Sequence, residues 1–138
     1  MGKRLSTKYR PTEKEPFMNE RQRRYFRRKL ENWREEIIRE SNQTLRNLQQ
    51  DTSQEPDLAD RASTESDRSI ELRTRDRQRK LIAKIDAALR RIDEKSYGFC
   101  EETGEPISLK RLEARPIATL SIEAQERHER RERIYRDD

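Results

Sequence analysis

The sequence predicts a mainly α-helical protein: a long antiparallel two-helix coiled-coil hairpin, a small globular knob and a C-terminal helix. Three observations carry this prediction. Two long, highly charged stretches, Asn19 to Gln50 and Ser66 to Lys95, flank one acidic elbow at residues 55–63. Phe26, Leu30, Trp33 and Ile37 recur at steps of four, three and four, the period of a coiled-coil seam. Of 138 residues, 29% are hydrophobic and 44% charged, with a mean hydropathy of -1.42. That is too polar to wrap a large core, but it suits a narrow apolar seam and one small knob.

Taken in order, residues 1–18 hold Pro11 and Pro16 and no periodic apolar positions, which predicts a flexible basic arm. The hairpin is expected over 19–95. Asn19 is a favourable N-cap for its first helix, and the stripe thins through Ser41 and Thr44 before Leu45 and Leu48. Pro56 biases Glu55 away from helical angles and places the turn around 55–63. Ile70, Arg77, Leu81, Ile85, Ala88 and Ile92 supply the second helix's seam, with a stutter at the doubled step of four around Leu81. Tyr97-Gly98 signals the end of that helix. The knob is expected over 96–120. There Phe99-Cys100 and Pro106-Ile107 can pair across a turn containing Gly104, and Ser108 caps a short helix ended by Arg115-Pro116. Ser121 then caps a charged final helix over 121–138.

Charge is distributed unevenly. Net charge is +5, yet residues 1–30 carry eleven Lys or Arg against three Glu, while 40–71 carry eight acids against three Arg. With a rise of about 1.5 Å per residue, such a hairpin reaches on the order of 45 Å, cationic at its base and anionic at its tip. A dipolar rod of this kind suits a partner with an acidic entrance and a basic or metal-bearing interior. The single cysteine, Cys100, excludes an intrachain disulfide. No segment approaches membrane-spanning length and the basic N-terminus lacks an apolar run, so a cytoplasmic location without membrane contact is expected. No nucleophile–base pairing, phosphate loop or metal cluster is visible, which argues against an enzyme.

Three stretches in order, DLADRAS, YGFCEETGEPIS and RLEARPIATLS, with SIELRTRDRQRKLIAKI between the first two, resemble the DksA/TraR family of bacterial RNA polymerase-binding regulators. The resemblance runs from about residue 20 into the last helix. It implies a monomer whose coiled coil enters the polymerase secondary channel and alters promoter open-complex stability, without sequence-specific DNA binding of its own. The family's tip motif, Asp-x-x-Asp-x-Ala, stands here as Asp57, Asp60 and Ala62. The family's guanosine tetraphosphate site, shared with polymerase in the stringent response, falls on Arg77, Leu81, Lys84 and Arg115, with Gln125 where typical members have a lysine. The knob is expected to be zinc-finger-like, but the four-cysteine positions are Cys100, Thr103, Ser121 and Ala124. Zinc wants four thiolate or imidazole donors, so no zinc and no other resident cofactor is expected. His128, one turn beyond Ala124, reads as an exposed histidine on a charged helix. Packing among Phe99, Ile107, Leu109, Leu112, Ile117, Leu120 and Ile122, with a hydrogen bond from Thr103 or Ser121, is expected to replace the metal's folding energy.

Two other readings use the same features. A transcript-cleavage accessory factor would use an acidic tip in the same channel to hold a catalytic metal. A nucleic-acid-binding coiled coil would use the basic arm, with steep salt dependence.

Overall fold

The computed structural model describes residues 8–51 and 58–137, with side chains described at 8–50 and 65–135. Four helices follow one another: α1 (Glu20–Asp51), α2 (Leu58–Asp93), α3 (Leu109–Ala114) and α4 (Ile122–Asp137). The chain divides into two compact units, one of Met1–Leu30 with Ala87–Asp138 and the other Glu31–Asp86.

In the first unit, α1 starts as its sequence predicts. The Asn19 side-chain oxygen accepts the Gln22 backbone N–H at 2.9 Å, satisfying a donor that the helix cannot. Phe26 and Leu30 have no exposed surface; Ala88, Ile92 and Tyr97 are buried in the same unit, and Phe26 packs on the Tyr97 ring. Arg27 pairs with Asp93, fixing α1 and α2 antiparallel here.

The N-terminal segment differs from the expected loose arm from Lys8 onward. Tyr9 is buried, packs edge-on to Tyr25, and lies under the Arg21 guanidinium at 3.9 Å. Its phenol donates to Glu15 at 2.8 Å. Buried Gln22 accepts the Met18 N–H at 2.7 Å and donates to the Thr12 carbonyl at 3.1 Å. One side chain therefore ties two turns of irregular backbone to the first turn of α1. None of this shows as periodicity, because single aromatic and amide anchors have no repeat.

The end of α2 also departs from expectation. The helix stops at Asp93, and Lys95, with φ of 65°, takes the left-handed position that Gly98 was expected to fill. Ser96 N–H reaches the Arg91 carbonyl at 2.9 Å and Lys95 N–H the Ile92 carbonyl at 3.2 Å, the paired bonds of a Schellman end. Gly98, φ 90°, is needed for the next bend: a Cβ there would meet Met18 and Phe17 side chains at 3.1 to 3.2 Å.

In the second unit, Arg34 Nε donates to Asp86 at 2.8 Å, again with α1 numbers rising as α2 numbers fall. Ile37, Leu48 and Ile85 are buried. Leu81 and Ile85 keep their expected seam places, but the distal part of the α2 seam is one residue off the expected register. Ile70 is 55% exposed and Arg77 is exposed. Stepping back from Ile85 by four, three, four and three gives Leu81, Gln78, Thr74 and Glu71, all half-buried. This is an unbroken heptad, so α2 has no stutter. The doubled step of four falls on α1, at Trp33, Ile37 and half-buried Ser41. The second helix also starts earlier than expected, at Leu58, because nothing after Pro56 in LADRAS breaks a helix.

Candidate functional site

Asp57, the first residue of the expected tip motif, lies outside the described residues. Asp60 and Ala62 stand on the first two turns of α2 rather than in an elbow, with their side chains outside the described set.

The α2 surface is better defined. Arg77 and Lys84 are exposed and Leu81 is half-buried. Their spacing of four and three residues keeps them on adjoining strips of the helix. The heptad seats Gln78 and Leu81 in the seam and leaves Arg77 beside it. Arg77 is thus a surface cation rather than a packing residue, while Leu81 is half-buried in the seam. Guanidinium and ammonium groups presented this way suit a polyphosphate or a carboxylate-rich wall. Arg115, in the first unit, is the exposed C-cap of α3, its backbone N–H donating to the Arg111 carbonyl at 2.7 Å. Half-buried Gln125 donates to Glu129 at 3.3 Å along α4.

The knob is built from backbone turns. Phe99 and Pro106 form an antiparallel bridge, as the sequence predicts. Around it, Cys100 N–H donates to the Glu105 carbonyl at 2.8 Å, Gly104 N–H to the Cys100 carbonyl at 2.8 Å, and Ile107 N–H to the Gly98 carbonyl at 2.7 Å. Ser108 caps α3 and Ser121 caps α4, each hydroxyl accepting a backbone N–H three residues on at 3.2 Å. The Thr103 hydroxyl accepts the Glu105 N–H at 3.2 Å. Of the expected core, Ile107 and Leu112 are fully buried, but Phe99 is 37% and Ile122 48% exposed. Tyr97, Cys100, Ala118 and Ala124 fill the interior that those two do not.

These contacts define what the four ligand positions can do. Cys100 is the one thiol, the Thr103 and Ser121 hydroxyls each accept a backbone N–H, and Ala124 is a buried methyl. Such a set does not fit a tetrahedral zinc. Among the described residues no group of three or more His, Cys, Asp or Glu could hold a metal ion. Burial works against ionising Cys100, but hydrogen bonds from the Thr103 side chain and from the backbone N–H groups of Ser121, Thr103 and Glu102 outweigh it, bringing the thiol down to about 6. His128 is engaged elsewhere, its Nε2 lying 2.7 Å from Glu102, with Arg127 3.8 Å from the same carboxylate. No helix among the described residues is long and apolar enough to cross a membrane.

Comparison with known proteins agrees with this architecture. Residues 22–92 match the N-terminal domain of the DnaK suppressor protein DksA, and residues 95–130 match the prokaryotic dksA/traR C4-type zinc finger. A protein from Caulobacter vibrioides described as "RNA polymerase-binding transcription factor DksA" is 69% identical over 130 residues, 94% of this chain and 92% of that one. The Escherichia coli K12 protein of the same description is 44% identical over 119 residues, 86% of this chain and 79% of its own. The solved structure of transcription factor DksA2 from Pseudomonas aeruginosa has a TM-score of 0.79 and 45% identity, covering 85% of this chain and 90% of that one. With both parts matched in order between residues 22 and 130, the chain belongs to the DksA/TraR family.

Proposed function

We propose that this protein is an RNA polymerase-binding transcription factor and not an enzyme. Its α1–α2 pair enters the secondary channel and shifts the stability of promoter open complexes, with guanosine tetraphosphate as effector. One observation carries the reading most: 69% identity over 94% of the chain with a relative described as such a factor. The exposed cations beside the α2 seam add support. Arg77 and Lys84, exposed on either side of half-buried Leu81, are free of the helix packing that would otherwise account for them. They are assigned, with Arg115, to the effector's phosphates. Gln125 supplies a neutral amide where a lysine is typical, which lowers effector affinity several-fold, a loss of about 1 kcal/mol for a partly exposed contact.

Asp57, Asp60 and Ala62 are assigned to contact near the polymerase active site, where paired carboxylates meet basic side chains or a bound magnesium. The knob is assigned a zinc-free fold, since one thiol, two capping hydroxyls and a methyl occupy the ligand positions. The protein acts in the cytoplasm as a monomer.

The test is in vitro transcription from a ribosomal RNA promoter, with and without guanosine tetraphosphate. Wild type shortens open-complex lifetime and the nucleotide deepens the effect. Asp60→Asn abolishes the effect while still binding polymerase, and Arg77→Ala with Lys84→Ala loses the nucleotide response. Full inhibition by Asp60→Asn removes the tip from the mechanism. Shortened RNA in stalled complexes would instead establish the cleavage-factor reading.

A further inference from the structure

The distal half of the second unit is held by the wrong kind of seam for a rigid rod. On α2, below Ile85, the inward row is Leu81, Gln78, Thr74 and Glu71, and on α1 it is Ser41 and Thr44 before Leu48. Gln78 Oε1 and Glu71 Oε2 have no exposed surface, and no donor among the described residues reaches either. A desolvated acceptor without a partner is among the costliest features that a helix pair can carry. The nearby hydroxyls do not relieve it. Thr44 donates to the Glu40 carbonyl at 3.0 Å and Thr74 to the Ile70 carbonyl at 3.0 Å, each turning back on its own helix. Gln43 likewise donates along α1 to Asn47 at 3.1 Å. Between Leu81 and Leu48, polar groups thus fill the seam without bridging it.

Two orphaned acceptors seven residues apart, both on the row that meets α1, put this penalty between the helices rather than on their outer faces. Separation of the helices returns both oxygens to water and restores the bonds they lack. An apolar seam gains nothing comparable on opening. The sequence therefore lowers the free energy of local opening here while leaving Ile37 and Ile85 fully committed.

We infer that residues 41–48 and 71–81 form a built-in opening element, parting and reclosing as a unit while the packing at Ile37 and Ile85 persists. Its use rests on the proposed function: a hairpin whose distal half can splay adjusts its width to a confined passage in polymerase as it enters. The experiment is hydrogen–deuterium exchange on the full chain, comparing wild type with Glu71→Leu/Gln78→Leu and with Gln78→Leu alone in case the double variant associates. In wild type, amides of 41–48 and 71–81 exchange far faster than those of 22–30 and 88–93. The apolar variants slow the distal amides by roughly tenfold and leave the others unchanged. Equal distal exchange in wild type and both variants overturns the opening element. The stiffened variants then enter the open-complex assay, where at least about a fivefold weaker effect than wild type is expected. Slowed exchange with undiminished promoter activity overturns the element's role in entry. Wild type without effect on promoter complexes defeats the functional reading alone, and the exchange contrast still decides the opening.

Discussion

Tyr97→Phe tests where the knob gets its stability. The Tyr97 ring is 1% exposed and packs on Phe26 at 5.5 Å between centroids, so phenylalanine keeps the shape and removes one atom. That atom donates a buried hydrogen bond to the Pro116 carbonyl at 2.8 Å, joining the end of α2 to the segment between α3 and α4. Burial holds the phenol far above its ordinary pKa, with Arg91 opposing and Glu113 assisting, so the bond persists across ordinary pH. Losing it leaves a buried carbonyl unpaired and costs about 1–2 kcal/mol. Tyr97→Ala adds a cavity and costs about 3–5 kcal/mol, a large share of the roughly 5–15 kcal/mol typical of a domain. The assay is urea unfolding followed by circular dichroism, with and without a strong zinc chelator. On the zinc-free reading, the chelator moves the midpoint less than Tyr97→Phe does. A chelator effect exceeding that of Tyr97→Phe, or a substitution cost below about 0.3 kcal/mol, refutes the reasoning.

Gly98→Ala forces a Cβ into the positive-φ region and against Met18 and Phe17, which costs about 1–2 kcal/mol and lowers the melting temperature by several degrees in a thermal melt. Gln22→Leu leaves the buried Met18 N–H without its partner, at about 1–3 kcal/mol, and removes the tie to the Thr12 carbonyl, so limited trypsin cleavage at Lys8 and Lys14 accelerates. The Cys100 thiol titrates near 6 when folded, below its unfolded value of 9.0. A depressed pKa contributes stability that is complete above the unfolded value and lost as pH falls through about 6. Denaturation midpoints measured from pH 5.5 to 9 should therefore rise in wild type and lose that increment in Cys100→Ser, which otherwise folds; parallel curves would contradict it.

The helices and their caps were legible because they are written locally. Asn19, Ser108 and Ser121 accept the N–H groups that cap residues of their type accept. The proximal seam was equally plain, since Phe26, Leu30, Ile37, Ile85, Ala88 and Ile92 are apolar at the right period. The distal seam was misread by one residue. Hydrophobicity favours Ile70, whereas the heptad running from Ile85 demands Glu71, and geometry prevailed over composition. The expected register also put Arg77 in the seam, although the family resemblance names it for the effector site. Counting strictly in sevens would have freed it. Nothing periodic announces the N-terminal anchoring, though Asn19 followed three residues later by Gln22 was a usable signal. For the tip, Asp57 lies outside the described residues, so the motif remains a property of the sequence.

The ligand positions show why the knob's interior was only partly foreseen. Read as lost donors, Thr103, Ser121 and Ala124 look like decay of a metal site. In the structure each has a mechanical use: Thr103 and Ser121 hold backbone N–H groups, and Ala124 is a wall of the core. A metal concentrates folding energy at one point, so losing one ligand loses most of it. Here the same turn is held by dispersed contacts: the backbone bonds around Cys100, the Glu101 N–H on the Thr119 carbonyl at 2.9 Å, and packing of Tyr97, Ile107 and Leu112. The links from Glu102 to His128 and Arg127 are partly exposed and worth about 0–1 kcal/mol each. Buried contacts therefore dominate, and the expected response to substitution is graded. At or below about pH 6, where the thiol is protonated, Cys100→Ser should be mild, Tyr97→Phe intermediate and Tyr97→Ala severe. A four-cysteine knob would instead fail nearly completely at any one of its ligands.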